Sequence, residues 1–156
     1  MAVKYFSSYA KWMQGRYRRH QRYVAALQAH GVTFIEGRFK EKPMKCKSCG
    51  TEYIAHEEKE TDVNIGVHLM ADGIKGRFDR AIVISADTDL NEAVNLARKE
   101  APSTRVDIVA PPNRKGRNSI ALFEITLGRI RRSLLPEIVE YQGETISRPQ
   151  QYAPPI

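Results

Sequence analysis

Apolar positions along the chain occur in short runs, and their spacing changes from that of a strand to that of a helix and back. Val3–Ser7 and Val32–Phe39 are rich in β-branched and aromatic residues, which predicts a strand in each. Between them, Tyr17, Val24 and Leu27 are spaced for one face of an amphipathic helix. The first part of the chain therefore predicts a strand, a helix and a second strand.

The same alternation of strand and helix spacing continues in the second half of the chain. The predicted elements are, in order, a helix within Asp62–Ile74, a strand at Ala81–Ile84, a helix at Leu90–Glu100, a strand at Arg105–Val109 and a last helix at Asn118–Leu127. This alternation predicts an α/β fold, a sandwich with helices on both faces of a mostly parallel sheet. Ligands of such sheets bind beyond the carboxyl ends of the strands, so we expect the chemistry immediately after a strand.

Two segments depart from this alternation. Residues at about 42–56 combine turn-forming residues with two cysteines, which predicts an insertion into a domain of residues 1–140. Residues 141–156 contain Pro149, Pro154 and Pro155, and we expect them to form a flexible tail.

The length and composition are those of one ordinary domain. The chain has 156 residues, 28% of them charged, and no apolar stretch approaches the ~20 residues that span a bilayer. Its first residues lack the apolar core of a signal peptide. We therefore expect a cytoplasmic protein that has no membrane partner.

Charge is distributed unevenly along the chain. The 25 Lys and Arg residues outnumber 18 Asp and Glu residues, which gives a formal net charge of +7. Bases predominate before Glu36 and between residues 111 and 135, whereas acids predominate between Glu57 and Glu100. Because bases hold phosphates and carboxylates hold cations, this distribution is typical of an enzyme that uses a metal ion on a polyanion. The alternative is a solvated basic surface that binds no partner.

Two carboxylates follow the predicted apolar strand Ala81–Ile84. Asp87 and Asp89 are separated by one residue at the turn that opens the next helix, so both side chains can point into the same cleft. Mg²⁺ and Mn²⁺ prefer carboxylate oxygens and keep several waters, which an open site can activate. The alternative is that Asp87 caps the helix and that Asp89 interacts with the helix dipole.

A third aspartate, Asp62, stands in the first turn of the preceding predicted helix, within the sequence Lys-Glu-Thr-Asp-Val. A Lys-x-x-Asp-Val helix start, followed about twenty residues later by an apolar strand that ends in Ser-x-Asp-x-Asp-Leu, resembles the NYN family of PIN-like nucleases. The strands VKYFS and VTFIEGRF and the segment SIALFEITLGRIRRSLLP are also similar to family elements. The resemblance covers roughly residues 3 to 136.

The resemblance implies a Rossmann-like PIN fold, a three-layer sandwich, and metal-dependent cleavage of RNA phosphodiester bonds. Its acidic site would contain Asp62, Asp87 and Asp89 as ligands of Mg²⁺ or Mn²⁺. The family also has a first strand that ends in an aspartate and lies in the middle of the sheet, and this strand has no counterpart here. Truncation, a strand supplied by a partner chain and degeneration of the site are the three explanations.

The motif Cys46-Lys-Ser-Cys49-Gly50 has the spacing of one zinc knuckle. Two thiolates hold one edge of a zinc tetrahedron, so structural Zn²⁺ needs further ligands. These are His56, the nearest candidate, or the cysteines of a second chain in a homodimer. A metal-free loop and a redox motif are the alternatives, the latter disfavoured because Cys46 does not follow a strand that opens a helix.

Several basic residues are candidates for contacts with RNA phosphates: Lys59, Arg114, Lys115, Arg117, Arg16 and Arg19. Among them, Arg114, Lys115 and Arg117 follow a predicted strand, on the side where the site is expected. Trp12 and Tyr23 invite a base-stacking role, although aromatic residues at helical spacing more often pack in a core.

The leading hypothesis is thus a metal-dependent ribonuclease. The second is a non-catalytic RNA-binding or interaction module that keeps the basic surface but has lost its chemistry. A third, weaker hypothesis is a phosphatase-like hydrolase, although its Asp-x-Asp would normally follow the first strand of the fold.

Overall fold

A computed structural model describes residues 1–117 and 119–153, which fall into two compact units. The first unit contains residues 1–64 and 136–152, and the second contains residues 65–117, 119–135 and 153. In chain order, the elements are β1 (Val3–Ser7), α1 (Gln14–Ala29), β2 (Val32–Glu36), β3 (Arg38–Lys45), β4 (Glu52–Lys59), α2 (Thr61–Ile74), β5 (Arg80–Ile84), α3 (Leu90–Glu100), β6 (Arg105–Ala110), β7 (Phe123–Glu124), α4 (Leu127–Arg132), β8 (Ile138–Tyr141), β9 (Glu144–Ser147) and a 3-10 helix (Gln150–Tyr152). The predicted α/β class is confirmed.

The first unit is built around the parallel pair β1 and β2. Helix α1 connects these strands and contacts β2, β8 and β9, and its buried residue Val24 is 2% exposed. Tyr5 of β1 stacks on its cross-strand partner Phe34, with ring centroids 5.9 Å apart. Two antiparallel hairpins, β3–β4 and β8–β9, complete the unit.

The predicted strand Val32–Phe39 is divided at Gly37, where β2 ends and β3 begins. The amide of Gly37 donates to the carbonyl of Ser7 at 3.0 Å, beside the end of β1. A Cβ at this position would lie 2.6 Å from Ser8 Oγ and 3.0 Å from the carbonyl oxygen of Lys59. The chain therefore needs glycine here. The backbone passes from the β1–β2 sheet to the β3–β4 hairpin at this residue, and the neighbouring atoms leave no room for a Cβ.

The second unit contains a parallel sheet with the strand order β5-β6-β7. Strand β6 is buried along nearly its whole length, and its apolar side chains form a core with residues of α2 and α3. This core consists of Leu69, Val94, Ala97, Val106, Ile108, Ala110 and Ala121. The strand Ala81–Ile84 and the helix Leu90–Glu100 occur where the sequence predicts them.

The predicted last helix, Asn118–Leu127, is wrong. Asn118 lies outside the described residues, and the segment 119–126 contains the short strand β7 instead. Its backbone pairs with the free edge of β6: Leu122 donates to Ile108 at 2.8 Å and Ile125 donates to Ala110 at 2.8 Å. The helix begins only at Leu127, and the hydroxyl of Thr126 accepts from the amide of Arg129 as its N-cap.

The C-terminal segment also differs from the flexible tail expected for residues 141–156. Strand β9 pairs with β8, and Ile146 is buried with 9% exposure. The turn between them has positive φ at both central residues, Gln142 (53°) and Gly143 (81°), as in a type I′ hairpin turn. Residues 154–156, which include Pro154 and Pro155, lie outside the described residues.

In the part of the chain that the structure describes, no helix is long and apolar enough to cross a bilayer.

Candidate acidic site and basic loop

Asp87 and Asp89 follow β5 at the carboxyl edge of the parallel sheet in the second unit. The amide of Ser85 donates to the carbonyl of Val109 at 3.1 Å, so the chain leaves β5 beside the end of β6. Both aspartates are exposed. They occupy the position where ligands of parallel sheets bind.

Backbone hydrogen bonds fix the turn that carries this acidic pair. The amide of Asp87 donates to Ser85 Oγ at 3.0 Å, and the amide of Asp89 donates to Asp87 Oδ1 at 2.9 Å. Asp89 is the N-cap residue of α3, but its side chain makes no capping hydrogen bond. The Asp87 carboxylate therefore accepts from the amide of the N-cap residue rather than from an amide in the first turn of the helix, and the Asp89 carboxylate makes no capping hydrogen bond.

The basic loop at residues 111–117 follows β6 and therefore lies at the same edge of the same sheet. Its three basic side chains are exposed: Arg114, Lys115 and Arg117. The structure thus brings these predicted phosphate contacts to the edge that carries Asp87 and Asp89.

Glu124 of β7 organises the basic loop, a role that sequence reasoning missed. Its carboxylate accepts from the amide of Asn113 at 2.9 Å and from that of Lys115 at 3.3 Å. These backbone hydrogen bonds lower the pKa of Glu124 below its ordinary value. Asn113 has a φ of 58°, a conformation in which successive amides can point at one anion. The one available signal was that Glu124 is the lone acid in a basic stretch.

Asp62 lies in the first unit, exposed in the first turn of α2. The neighbouring Thr61 hydroxyl donates to Glu58 Oε1 at 2.8 Å and lies 3.5 Å from Ser8 Oγ. Helix α2 therefore begins beside the end of β1. The ammonium group of Lys59, a predicted phosphate contact, is paired with Glu57 at 2.7 Å.

Within residues 1–117 and 119–153, no three His, Cys, Asp or Glu side chains form a group that could hold a metal ion. What the second unit brings together is the pair Asp87 and Asp89. Mg²⁺ is commonly bound through one or two carboxylates, with waters and substrate phosphates as its other ligands. The donor chemistry of the pair fits such an ion.

The cysteine motif forms the turn of the β3–β4 hairpin. The amide of Cys46 donates to Thr51 at 2.8 Å, and the amide of Gly50, with a φ of 73°, donates to Cys46 at 2.9 Å. A hydrogen bond with the Ser48 hydroxyl, together with backbone amides, lowers the pKa of Cys46 to about 6. Cys46 is therefore largely a thiolate at neutral pH, the form that binds zinc.

His56, the expected third zinc ligand, is not beside the cysteines. It lies in the middle of β4, four residues from Glu52 at the hairpin end, a separation of ~13 Å along a strand. Its ring stacks on Trp12, with centroids 3.6 Å apart and an interplanar angle of 12°. Trp12 thus packs on one side against His56, although it remains 42% exposed.

Arg16 and Arg19, the remaining predicted RNA contacts, lie in the first half of α1. Arg16 is exposed and Arg19 is half-buried. Both belong to the first unit, whereas the basic loop belongs to the second.

Comparison with known proteins finds a distant similarity to 6-hydroxy-3-succinoylpyridine 3-monooxygenase HspA of Pseudomonas putida. The two sequences are 25% identical over an alignment of 163 positions with gaps, which covers 98% of this chain and 51% of that protein. No protein-family model matches the chain, and no solved structure matches it. The chain therefore spans about half the length of the curated relative that it resembles.

Proposed function

We propose that the chain is a metal-dependent ribonuclease of the PIN-like type. The observation that carries this proposal is the meeting of an acidic pair and a basic loop at the carboxyl edge of one parallel sheet. A cation site beside phosphate-binding side chains is what the hydrolysis of a polyanion requires.

Asp87 and Asp89 would hold Mg²⁺ or Mn²⁺, and the resemblance adds Asp62 as a third ligand. A divalent cation bound there supplies positive charge and a more acidic water. The amide of Asp89 donates to the Asp87 carboxylate, so the orientation of this ligand is fixed before a metal ion binds. Arg114, Lys115 and Arg117 would hold the RNA backbone beside the site.

A three-layer PIN-like sandwich with a mostly parallel sheet is the finer architecture that we propose. Among the strands that the structure describes, β5 lies at the edge of its sheet, and its residues Ile82 and Ile84 are 57% and 63% exposed. A further parallel strand at this edge would make β5 a central strand and cover part of this apolar surface.

We also propose that Cys46 and Cys49 bind structural Zn²⁺, with the remaining ligands from a second copy of the chain in a homodimer. Protein purified without chelator should then contain about half a zinc ion per chain, and Cys46→Ser with Cys49→Ser should release it. Elemental analysis that finds no zinc in the unmodified chain would favour the metal-free turn.

The test of the nuclease proposal is the variant Asp89→Asn, assayed with Mn²⁺ on single-stranded and structured RNA. Cleavage should fall by orders of magnitude while RNA binding is retained, because the charge lost is a metal ligand and not a phosphate contact. The matched control is Asp79→Asn, which removes the same charge just before β5, at the opposite edge of the sheet. Asp62→Asn tests the third ligand in the same assay.

The alternative is a non-catalytic RNA-binding module, favoured by the same basic loop. Such a module binds RNA with a salt dependence that weakens when Arg114, Lys115 and Arg117 are neutralised. It shows no Mn²⁺-dependent cleavage. An intact RNA panel under these conditions would reject the nuclease in favour of the binding module.

The similarity to a monooxygenase of 6-hydroxy-3-succinoylpyridine supports a further candidate, hydroxylation of a substituted pyridine. Consumption of that compound with oxygen and an electron donor supplied would favour it.

A further inference from the structure

A cavity of about 430 Å³ lies in the first unit, at the carboxyl end of β1. Its volume is within the range of small-molecule sites, which is ~300–1,000 Å³. Four aromatic side chains line it, from elements far apart in the sequence: Tyr5, Tyr23, Phe39 and Tyr152. None of the carboxylates or basic side chains assigned above to the acidic site and basic loop belongs to this lining.

Three of the four aromatic side chains of the cavity pack against one another. Tyr23 packs edge-to-face with Tyr5 at 5.7 Å and with Tyr152 at 5.8 Å between ring centroids. Tyr23 and Tyr152 nevertheless remain 38% and 37% exposed. Preformed aromatic rings that keep part of their surface open favour a flat aromatic ligand, because stacking then needs little ordering of the wall.

Polar groups of both charges share the same cavity. Arg16 supplies a cation, and Glu58 supplies a carboxylate whose Oε1 accepts from the Thr61 hydroxyl. His20 Nε2 lies 3.2 Å from the hydroxyl of Tyr5, and burial lowers the pKa of His20, so that the ring is neutral at neutral pH. The lining thus offers Arg16 as the partner of an anion, Glu58 as an acceptor for a ring N–H group, and the Tyr5–His20 pair as a donor for a C=O group.

We propose that this cavity binds a planar aromatic ring that carries an anionic group. The ring packs against Tyr5, Tyr23 and Tyr152, and the anionic group pairs with Arg16. Where the ring carries an N–H group, Glu58 accepts from it. A nucleotide and an aromatic carboxylic acid both have this chemistry. The proposal does not rest on the proposed nuclease site, because it uses neither the aspartates proposed to bind a metal ion nor the basic loop; of the predicted RNA contacts it uses Arg16 alone.

The test is calorimetric titration of the whole chain with three probes: uridine monophosphate, adenosine monophosphate and pyridine-3-carboxylate. Saturable binding of at least one probe is expected. Tyr23→Leu should weaken it about tenfold through loss of a stacking surface. Arg16→Gln should weaken it by a similar factor and reduce its salt dependence.

Two control variants match these changes outside the cavity. Arg18→Gln removes the same charge from an exposed position on α1, and Tyr53→Leu removes an exposed ring from β4. Neither should change the affinity. Circular dichroism of each variant checks that it is folded, and Arg16→Gln carries the test if Tyr23→Leu unfolds.

Binding of a nucleotide, or of the aromatic acid, supports the proposal and identifies the source of the ligand. Absence of saturable binding of all three probes overturns it. Equal losses of affinity in Arg16→Gln and Arg18→Gln overturn it as well, because attraction to the general basic surface then explains the binding.

Discussion

Gly37 shows at the scale of one residue how closely the backbone packs where the first unit changes sheets. A Cβ there would meet Ser8 Oγ at 2.6 Å, Thr61 Oγ1 at 2.8 Å and a backbone carbonyl. The hydroxyl groups can rotate away, but the carbonyl of Lys59 belongs to β4 and cannot move without disturbing the hairpin. This close approach also brings the start of α2 to the end of β1.

Gly37→Ala should therefore destabilise the chain by about 1–3 kcal/mol through overpacking. Urea unfolding followed by circular dichroism measures the change. The matched control is Gly15→Ala in the first turn of α1, where a Cβ meets only the flexible end of Arg19 at 3.4 Å. This variant should be neutral or more stable by up to ~1 kcal/mol. Equal stability of both variants would contradict the close packing at Gly37.

Asp107 of β6 is a second residue that matters for stability, because its buried carboxylate is paired with two arginine side chains. It is 7% exposed and accepts hydrogen bonds from Arg80 at 2.8 Å and Arg105 at 3.0 Å. Burial raises the pKa of Asp107, but the two arginines outweigh burial and leave the pKa below its ordinary value. The ionised carboxylate therefore stabilises the folded sheet.

The stability that ionised Asp107 contributes is fully present above the unfolded pKa of ~3.9, and it is lost as the pH falls through the lower folded pKa. Asp107→Asn should therefore lower the unfolding midpoint at pH 7, and this deficit should shrink as the pH falls below about 4. Urea unfolding across this range measures the difference. A deficit that is the same at all pH values would show that ionisation is not its cause.

At the scale of elements, hydrogen bonds join the basic loop to strand β7. Glu124 is held by the pairing of β7 with β6, and its carboxylate in turn holds two amides of the loop. The side chains of the loop are therefore presented from an ordered backbone rather than from a free segment. A loop held in this way loses less entropy when it binds a phosphate.

Glu124→Ala should free the loop without removing the strand. Amide hydrogen exchange at Asn113 and Lys115 should become about tenfold faster, because both amides lose a charge-assisted hydrogen bond. Exchange at Leu122, which donates to β6, should stay within a factor of about two. The control is Glu144→Ala, an exposed carboxylate on β9, which should leave all three amides unchanged. Unchanged exchange at Asn113 in Glu124→Ala would exclude the anchoring role.

At the scale of the whole molecule, apolar surface is exposed at the edge of a sheet. Strand β5 pairs on one side with β6, while Ile82 and Ile84 are more than half exposed on the face away from the core. An edge strand with apolar residues of this kind favours pairing with another chain. The further strand proposed above would form backbone hydrogen bonds with this same edge of β5.

Ile82→Lys should therefore reduce concentration-dependent self-association of the chain, measured by sedimentation velocity. Its unfolding free energy should change by no more than about 0.5 kcal/mol, because the residue is outside the core. Ser103→Lys adds the same charge at an exposed turn of the second unit and should not change association. Identical sedimentation of the two variants would show that this edge does not mediate contact between copies.

Much of the fold was predictable because its signals are local. The strand Ala81–Ile84, the helix Leu90–Glu100 and the turn that carries Asp87 and Asp89 follow from hydrophobic spacing and residue type in short windows. The same reasoning placed the Arg114–Arg117 loop after a strand. That these two features share one sheet edge follows from the general rule that parallel strands end on the same side.

What the sequence by itself determined is thus the order and type of most elements and the residues that follow each strand. Only the tertiary structure decided the rest, because it depends on partners distant in the chain. Within the segment 119–126, Phe123–Glu124 form β7 because the edge of β6 offers backbone pairing, which outweighs the helical spacing of the segment. His56 stacks on Trp12 rather than joining the cysteines, since the register of β3 and β4 places it mid-strand. The aromatic cavity draws its walls from β1, α1, β3, β4 and the last 3-10 helix, and no local pattern records that meeting.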